Sequence, residues 1–185
     1  MIADHFPVAA ADAGVLIVVA AVEDDVVAVQ LKNKHGQLQL RKDLSGAWTL
    51  VTGEDAKKEA PALKKTEIDA LLGSISSIQL KEPLGTEAKV KHKLGPEASA
   101  HLVVEVQEKA KADPKNPSAT PAPPAVVTHT LVVGAKEGDD YFIKSHGSEY
   151  VVKAAAWTVQ SLVDKKLADF VEAPKDPKAD AKAPK

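Results

Sequence analysis

The chain has 185 residues, 44% of them hydrophobic and 27% charged, with a formal net charge of −2, no cysteine and only 4% aromatic residues. That length suits one domain or two small similar halves with a real core. The missing cysteine excludes disulfides, thiolate metal sites and cysteine nucleophiles. The near-balanced charge and scarce aromatics argue against a nucleic-acid surface.

In chain order, the first feature is the apolar run Gly14 to Val22 (GVLIVVAAV). It is too short to span a bilayer. A secretory signal wants a basic n-region, and Asp4 and His5 stand there instead. The run is read as a buried strand or the remainder of a trimmed leader. Three strands follow at Val26 to Leu31, Gln37 to Arg41 and Ala47 to Val51, with His35-Gly36 and Ser45-Gly46 as turns. They predict an antiparallel meander. Leu63, Ile68, Leu71, Leu72 and Ile75 then predict a helix over Ala62 to Ile75, with Thr66 and Asp69 resembling a capping box. Ser77 to Leu80 is a short strand, stopped by Pro83 and Gly85.

The pattern returns in the second half. Strands are predicted at His101 to Val106, Val126 to Val133, Tyr141 to Lys144 and Tyr150 to Val152, with Gly134, Gly138-Asp139-Asp140 and His146-Gly147-Ser148 as punctuation. A helix over Ala154 to Leu167 turns Trp157, Leu162, Val163 and Leu167 inward, and Asp169 to Val171 closes as a strand before Pro174. At an offset of 91 residues Ile68 falls on Val159, Leu71 on Leu162, Leu72 on Val163 and Pro83 on Pro174. This predicts an internal duplication. The expected fold is α+β: two similar antiparallel sheets, each backed by one helix, with halves of about 23–84 and 95–173 inside a domain spanning 23–173. The expected core holds Trp48, Ile68, Leu71, Leu72, Leu131, Leu162, Val163 and Phe170. Lys109 to Ala125 carries five prolines and no large apolar residue, so it reads as a mobile loop between two paired strands. The stretch 174–185 has the same character and reads as a disordered tail.

No constellation specifies chemistry. His101 and His129 fall on neighbouring predicted strands, but no third ligand has metal-site spacing, so they read as ordinary strand histidines. Glu23-Asp24-Asp25 and Gly138-Asp139-Asp140 lack the carboxylate spacing of a calcium loop and read as turns. Ser148 lies in a Gly-Ser-Glu turn rather than a nucleophile elbow. Lys57, Lys58, Lys64 and Lys65 gather at the first helix start, where a phosphate would find charge and free N–H groups; a solvated face is the plainer reading. Trp48 and Trp157 read as core rather than as walls of a groove between the halves. No catalytic, cofactor-binding or metal residues are therefore assigned, and no cofactor is expected.

The stretch from Asp25 to Glu172 resembles a bacterial domain-of-unknown-function family encoded near ABC-type transport and gliding-motility-like components. The residues that carry the likeness are Val26 to Leu31 with Leu38, Leu40 and Arg41, an opening hairpin; Gly46-Ala47-Trp48-Thr49-Leu50, a G-x-W-x-L strand; the helix with Ile68, Leu71 and Leu72; Leu94-Gly95-Pro96 leading into Leu102 to Val106; Thr130 to Gly134 followed by Tyr141-Phe142; and Tyr150-Val151-Val152. The family usually follows a membrane anchor, which this sequence does not display, and its hairpin loop is shorter than Lys109 to Ala125.

The resemblance implies a non-catalytic binding or scaffold domain, an accessory of a cell-envelope transport or motility-type assembly, working with protein partners and facing the periplasm or outer surface. Membrane association would come only through an anchor outside this chain, and nucleic acid is not an expected partner. Structural subunit of a larger assembly, enzyme with an unrecognised site, and cytoplasmic location are the competing expectations.

Overall fold

The computed structural model describes residues 25–51, 61–107 and 125–172. The apolar run Gly14 to Val22, Lys57 and Lys58, the proline-rich stretch as far as residue 124 and the tail from residue 173 lie outside the described residues.

The described residues form eight strands, most of them on an alternating apolar pattern: β1 (Val26–Asn33), β2 (Gly36–Lys42), β3 (Trp48–Leu50), β4 (Leu80–Pro83), β5 (Ala100–Gln107), β6 (Val126–Glu137), β7 (Asp140–Ser145) and β8 (Val151–Ala155). The helices are α1 (Lys65–Ser76), α2 (Ala156–Asp164) and the single turn α3 (Leu167–Phe170). All strands join one antiparallel sheet in the order β3-β2-β1-β5-β6-β7-β8-β4. The α+β character and the opening meander agree with the sequence. The two separate sheets do not form. β1 and β5, the opening strands of the two expected halves, pair along most of their length, with Val29 opposite Val104 and Leu31 opposite Leu102. Joining them removes two unpaired edges, a strong gain for short sheets with exposed backbone groups.

The three helices of the described residues lie on one face. Ile68, Leu71, Leu72 and Ile75 of α1, Val159, Leu162 and Val163 of α2, and Phe170 pack with Val29, Leu31, Leu38, Leu40, Leu102, Val104, Leu131, Val133 and Ile143 in one buried cluster. Every member of the expected core is buried except Trp48, which is half-buried against this cluster with the Lys42 ammonium 5.2 Å from its ring centroid.

Five local expectations are corrected. α1 starts at Lys65 because Ala62 to Lys64 is held extended against the chain end: Lys64 N–H donates to Phe170 O (2.8 Å) and Glu172 N–H to Ala62 O (2.8 Å). The capping box is accordingly absent; Lys64 is the N-cap without a side-chain hydrogen bond, and Asp69 pairs with Lys65 at 3.0 Å. Trp157 is 67% exposed. With Val159, Leu162 and Val163 facing inward, helical geometry swings Trp157 to the opposite side. Leu167, at 41% exposure, is outside α2, and the expected strand Asp169 to Val171 is instead the turn α3 plus an isolated bridge from Val171 to Leu63. That turn is what carries the Phe170 ring into the core.

Asn33 ties sheet to helices. Its amide donates to Leu162 O (2.9 Å) and Lys165 O (2.8 Å), capping the end of α2, while its Oδ1 accepts from His35 N–H (2.9 Å) and shapes the β1–β2 turn. Asn33→Ala is expected to lower the unfolding free energy by about 1–3 kcal/mol, the cost of leaving partly buried carbonyls unpaired. Urea denaturation reads this directly, and a midpoint unchanged from the parent would refute it.

Candidate functional site

The second face of the sheet is divided in two. Over β3, β2, β1, β5 and the first part of β6 no described element covers it. Strand register lays its side chains out in rows. One row runs Thr49, Arg41, Ala28, Glu105, Thr128; the next Gln39, Gln30, Val103, Thr130; the third Gln37, Lys32, His101, Val132, Lys144. The intervening residues are the buried ones, so alternation has put apolar groups under the helices and hydrogen-bonding groups here. The small Ala28 lets Arg41 and Glu105, two strands apart, meet across it at 3.1 Å. Around that pair lies a shallow depression of about 260 Å³ lined by Ala28, Gln30, Gln39, Arg41, Val103 and Glu105. Its polar inventory is the two amides of Gln30 and Gln39 and one ion pair. Those groups donate and accept hydrogen bonds and supply no activated nucleophile.

Over β6, β7 and β8 the same face is crossed by the segment from Leu84 to Ser99. It leaves β8 through Leu84 N–H to Val151 O and Val151 N–H to Gly85 O, both 2.8 Å, and reaches β6 where Ser99 Oγ donates to Gly134 O at 2.7 Å. Between those points a 3-10 turn, Val90–His92, presses His92 onto the sheet. The His92 ring is 2% exposed and stacks on Phe142 with centroids 4.4 Å apart. Its Nδ1 accepts the Lys89 N–H at 3.1 Å, which places the neutral ring's proton on Nε2. Lys91 and Lys153 stand 5.5 and 5.8 Å from the Phe142 ring centroid and both pair with Glu137, at 3.2 and 2.9 Å. Burial, then the Lys91 and Lys89 charges, holds His92 below its ordinary pKa. The two lysines hold Glu137 below the usual carboxylate range.

The residues weighed in the sequence fall apart spatially. β5 and β6 do pair, but His101 stands opposite Val132 and His129 opposite Val104. Those positions differ by an odd step along each strand, so the two imidazoles point to opposite faces. No group of three or more metal-capable side chains occurs among the described residues. Asp140, in the β6–β7 hairpin, pairs with Lys81 at 2.5 Å, and the Ser148 hydroxyl accepts the Tyr150 N–H. Lys65 is engaged by Asp69. Trp48 and Trp157 do not form a common core or groove, since one packs on the main cluster and the other faces solvent.

The sequence pattern does not single out His92, and it places Phe142 only as a strand residue. The sequence pattern makes Gly134 turn punctuation, whereas it lies inside β6, which continues to Glu137 through a register shift after Val133. A glycine within a strand pattern signals a bulge or a close backbone approach, and that was the available clue.

Comparison of this chain with family models, curated proteins and solved structures finds no match in any of the three.

Proposed function

We propose that the chain is a non-catalytic binding or scaffold domain that engages a protein partner through the open face of β3-β2-β1-β5, as an accessory of a cell-envelope transport or motility-type assembly. The observation that carries this is the face itself: an ordered surface of glutamine, threonine and valine around one ion pair, backed by a rigid core. Such a surface offers many weak hydrogen bonds over a wide area, which suits a macromolecule better than a small substrate needing a concave pocket. The assembly and the envelope location rest on the family resemblance alone. No described helix is long and apolar enough to cross a membrane.

The same reading takes the domain as an internal duplication whose last strands are exchanged. Reciprocal pairings support it. Leu80 lies opposite Ala154 and Leu63 opposite Val171. Leu63 and Ala154 stand 91 positions apart, as do Leu80 and Val171. The backbone bonds Lys64 N–H to Phe170 O and Ala155 N–H to Gln79 O obey the same exchange, and Ile68 and Val159, Leu71 and Leu162, and Leu72 and Val163 are equivalent buried pairs.

A photo-crosslinking residue at Gln39 or Lys32, expressed in native cells that are then fractionated, tests the proposal. Both positions are expected to give one discrete protein adduct in the envelope fraction, while the same residue at Ala70 on α1 gives none. Adducts absent from the open face, or equal at Ala70, would overturn the docking face. A discrete adduct found only in the cytosol would overturn the location.

A further inference from the structure

We propose that the segment from Leu84 to Ser99 is an acid-released strap, held on the sheet by the neutral ring of His92 and let go when that ring takes up a proton. The inference goes beyond the docking reading and stands on its own geometry. Three features make His92 the latch. Its ring is sealed between the strap and Phe142. Its Nδ1 is an acceptor, taking the Lys89 N–H, so a proton there would set donor against donor and abolish the bond. Its carbonyl lies against Gly134, fixing the strap's height above β6.

The surrounding charges oppose protonation. Lys89, Lys91 and Lys93 belong to the strap, as do Glu87 and Glu97, and Glu82 of β4 stands opposite Lys153. From the sheet, Lys153 of β8 and Glu137 of β6 face it, and on its β4 side Lys81 is neutralised by Asp140 of β7. Glu137 is the anion that would favour an imidazolium, but Lys91 and Lys153 already bind it. Because the docked pKa is lowered, the released strap binds the proton more tightly than the docked one. Docking is therefore complete above the ordinary histidine value of about 6.5 and weakens as pH falls below it. Glu137 stays ionised through that window, so it does not contribute the transition. Release uncovers Phe142, which is 2% exposed when covered, and extends the open sheet face across β6, β7 and β8.

Heteronuclear {1H}-15N NOE measurements on the full chain at about pH 7.5 and about pH 5 test this, the two values bracketing the ordinary histidine pKa. Strap amides from Lys89 to Leu94 are expected to be as rigid as β1 and β2 at the higher pH and to lose that rigidity at the lower, with β1 and β2 unchanged. His92→Phe keeps the stack but has neither an acceptor for the Lys89 N–H nor a group to protonate, so its strap is expected to show the same rigidity at both values, whatever that rigidity is. A strap rigid at both values in the unaltered chain, loosening together with β1 and β2, or the same acid loosening in His92→Phe would each overturn the proposal. Should His92→Phe fail to fold, the midpoint of strap loosening in the unaltered chain must coincide with the titration of the His92 ring, and a separate midpoint overturns it.

Discussion

Leu162→Ala is expected to lower the unfolding free energy by about 2–5 kcal/mol, with the upper half of that range favoured by how little the site can collapse. Leu162 has no exposed surface and sits in the cluster that joins α2 to α1 and to the sheet. The main chain around it is fixed from two sides, because its own carbonyl accepts the Asn33 amide and the helix ends two residues later at Asp164. A helix pinned in this way does not slide inward to fill the void. Leu71→Ala is expected to cost a similar amount, since Leu71 is equally buried on α1. Because both residues line one cluster, the double substitution is expected to depart from the sum of the two single effects. Leu167→Ala is the control: at 41% exposure it loses little contact and is expected to stay within about 0.5 kcal/mol. Urea denaturation with unchanged slope and a shifted midpoint measures all four. Equal midpoints for Leu162→Ala and Leu167→Ala would refute the packing described for α2.

That contrast also shows what the sequence made legible. Strands whose alternation is strict, such as Gln37 to Arg41 and His101 to Val106, fall within a residue or so of β2 and β5. One face of each is buried, so period-two spacing leaves a single register. The helix faces of Ile68, Leu71 and Leu72 and of Val159, Leu162 and Val163 were legible for the same reason with a period near 3.6. The failures lie where tertiary partners override local pattern. Ala62 to Lys64 carries helix formers, yet backbone bonds to Phe170 and Glu172 hold it extended. Asp169 to Val171 looked like a strand, yet placing Phe170 in the core needed a turn of helix. Trp157 is large and apolar, and residue type alone suggested burial; the phase set by three inward neighbours put it in solvent. The pairing of β1 with β5 could not be read from either strand, because joining two sheets depends on which edges remain free after each folds.

The open face was legible only in part. Gln30, Gln37 and Gln39 declare a solvated side in the strand pattern, but the row that carries Arg41 across Ala28 to Glu105 requires the register of three strands at once. The strap was invisible for a related reason. Leu84 to Ser99 has no periodicity, and its attachment is a histidine stacked on a phenylalanine 50 residues away in sequence. One residue nonetheless marked it, the glycine inside β6.

Gly134→Ala is expected to dislodge the strap at neutral pH and to lower stability by roughly 1–3 kcal/mol, as overpacking in a fixed site does. A methyl group built there would lie 2.0 Å from the His92 carbonyl oxygen and 3.0 Å from Leu94 Cδ2. The first contact is with backbone, so no side-chain rotation relieves it; the strap must rise or β6 must sink. β6 is held by β5 and β7 on either side and by the core beneath Val133, whereas the strap is held mainly at its two ends and by His92. The strap therefore moves, and with it goes the stack on Phe142. Gly138→Ala separates this from a generic glycine effect. Gly138 has φ +63° and open space around the added carbon, so its cost is about 1–2 kcal/mol of local backbone strain at the β6–β7 turn, with the strap left in place. Brief trypsin treatment at neutral pH reads the difference. Val90, 92% exposed, already lies at the outer surface of the strap, and Lys91 and Lys93 beside it become cleavable only when the segment can unfold into the protease site. Gly134→Ala is expected to be cut there rapidly and Gly138→Ala as slowly as the parent. Slow cutting of Gly134→Ala together with an unchanged urea midpoint would show that the strap does not rest on Gly134.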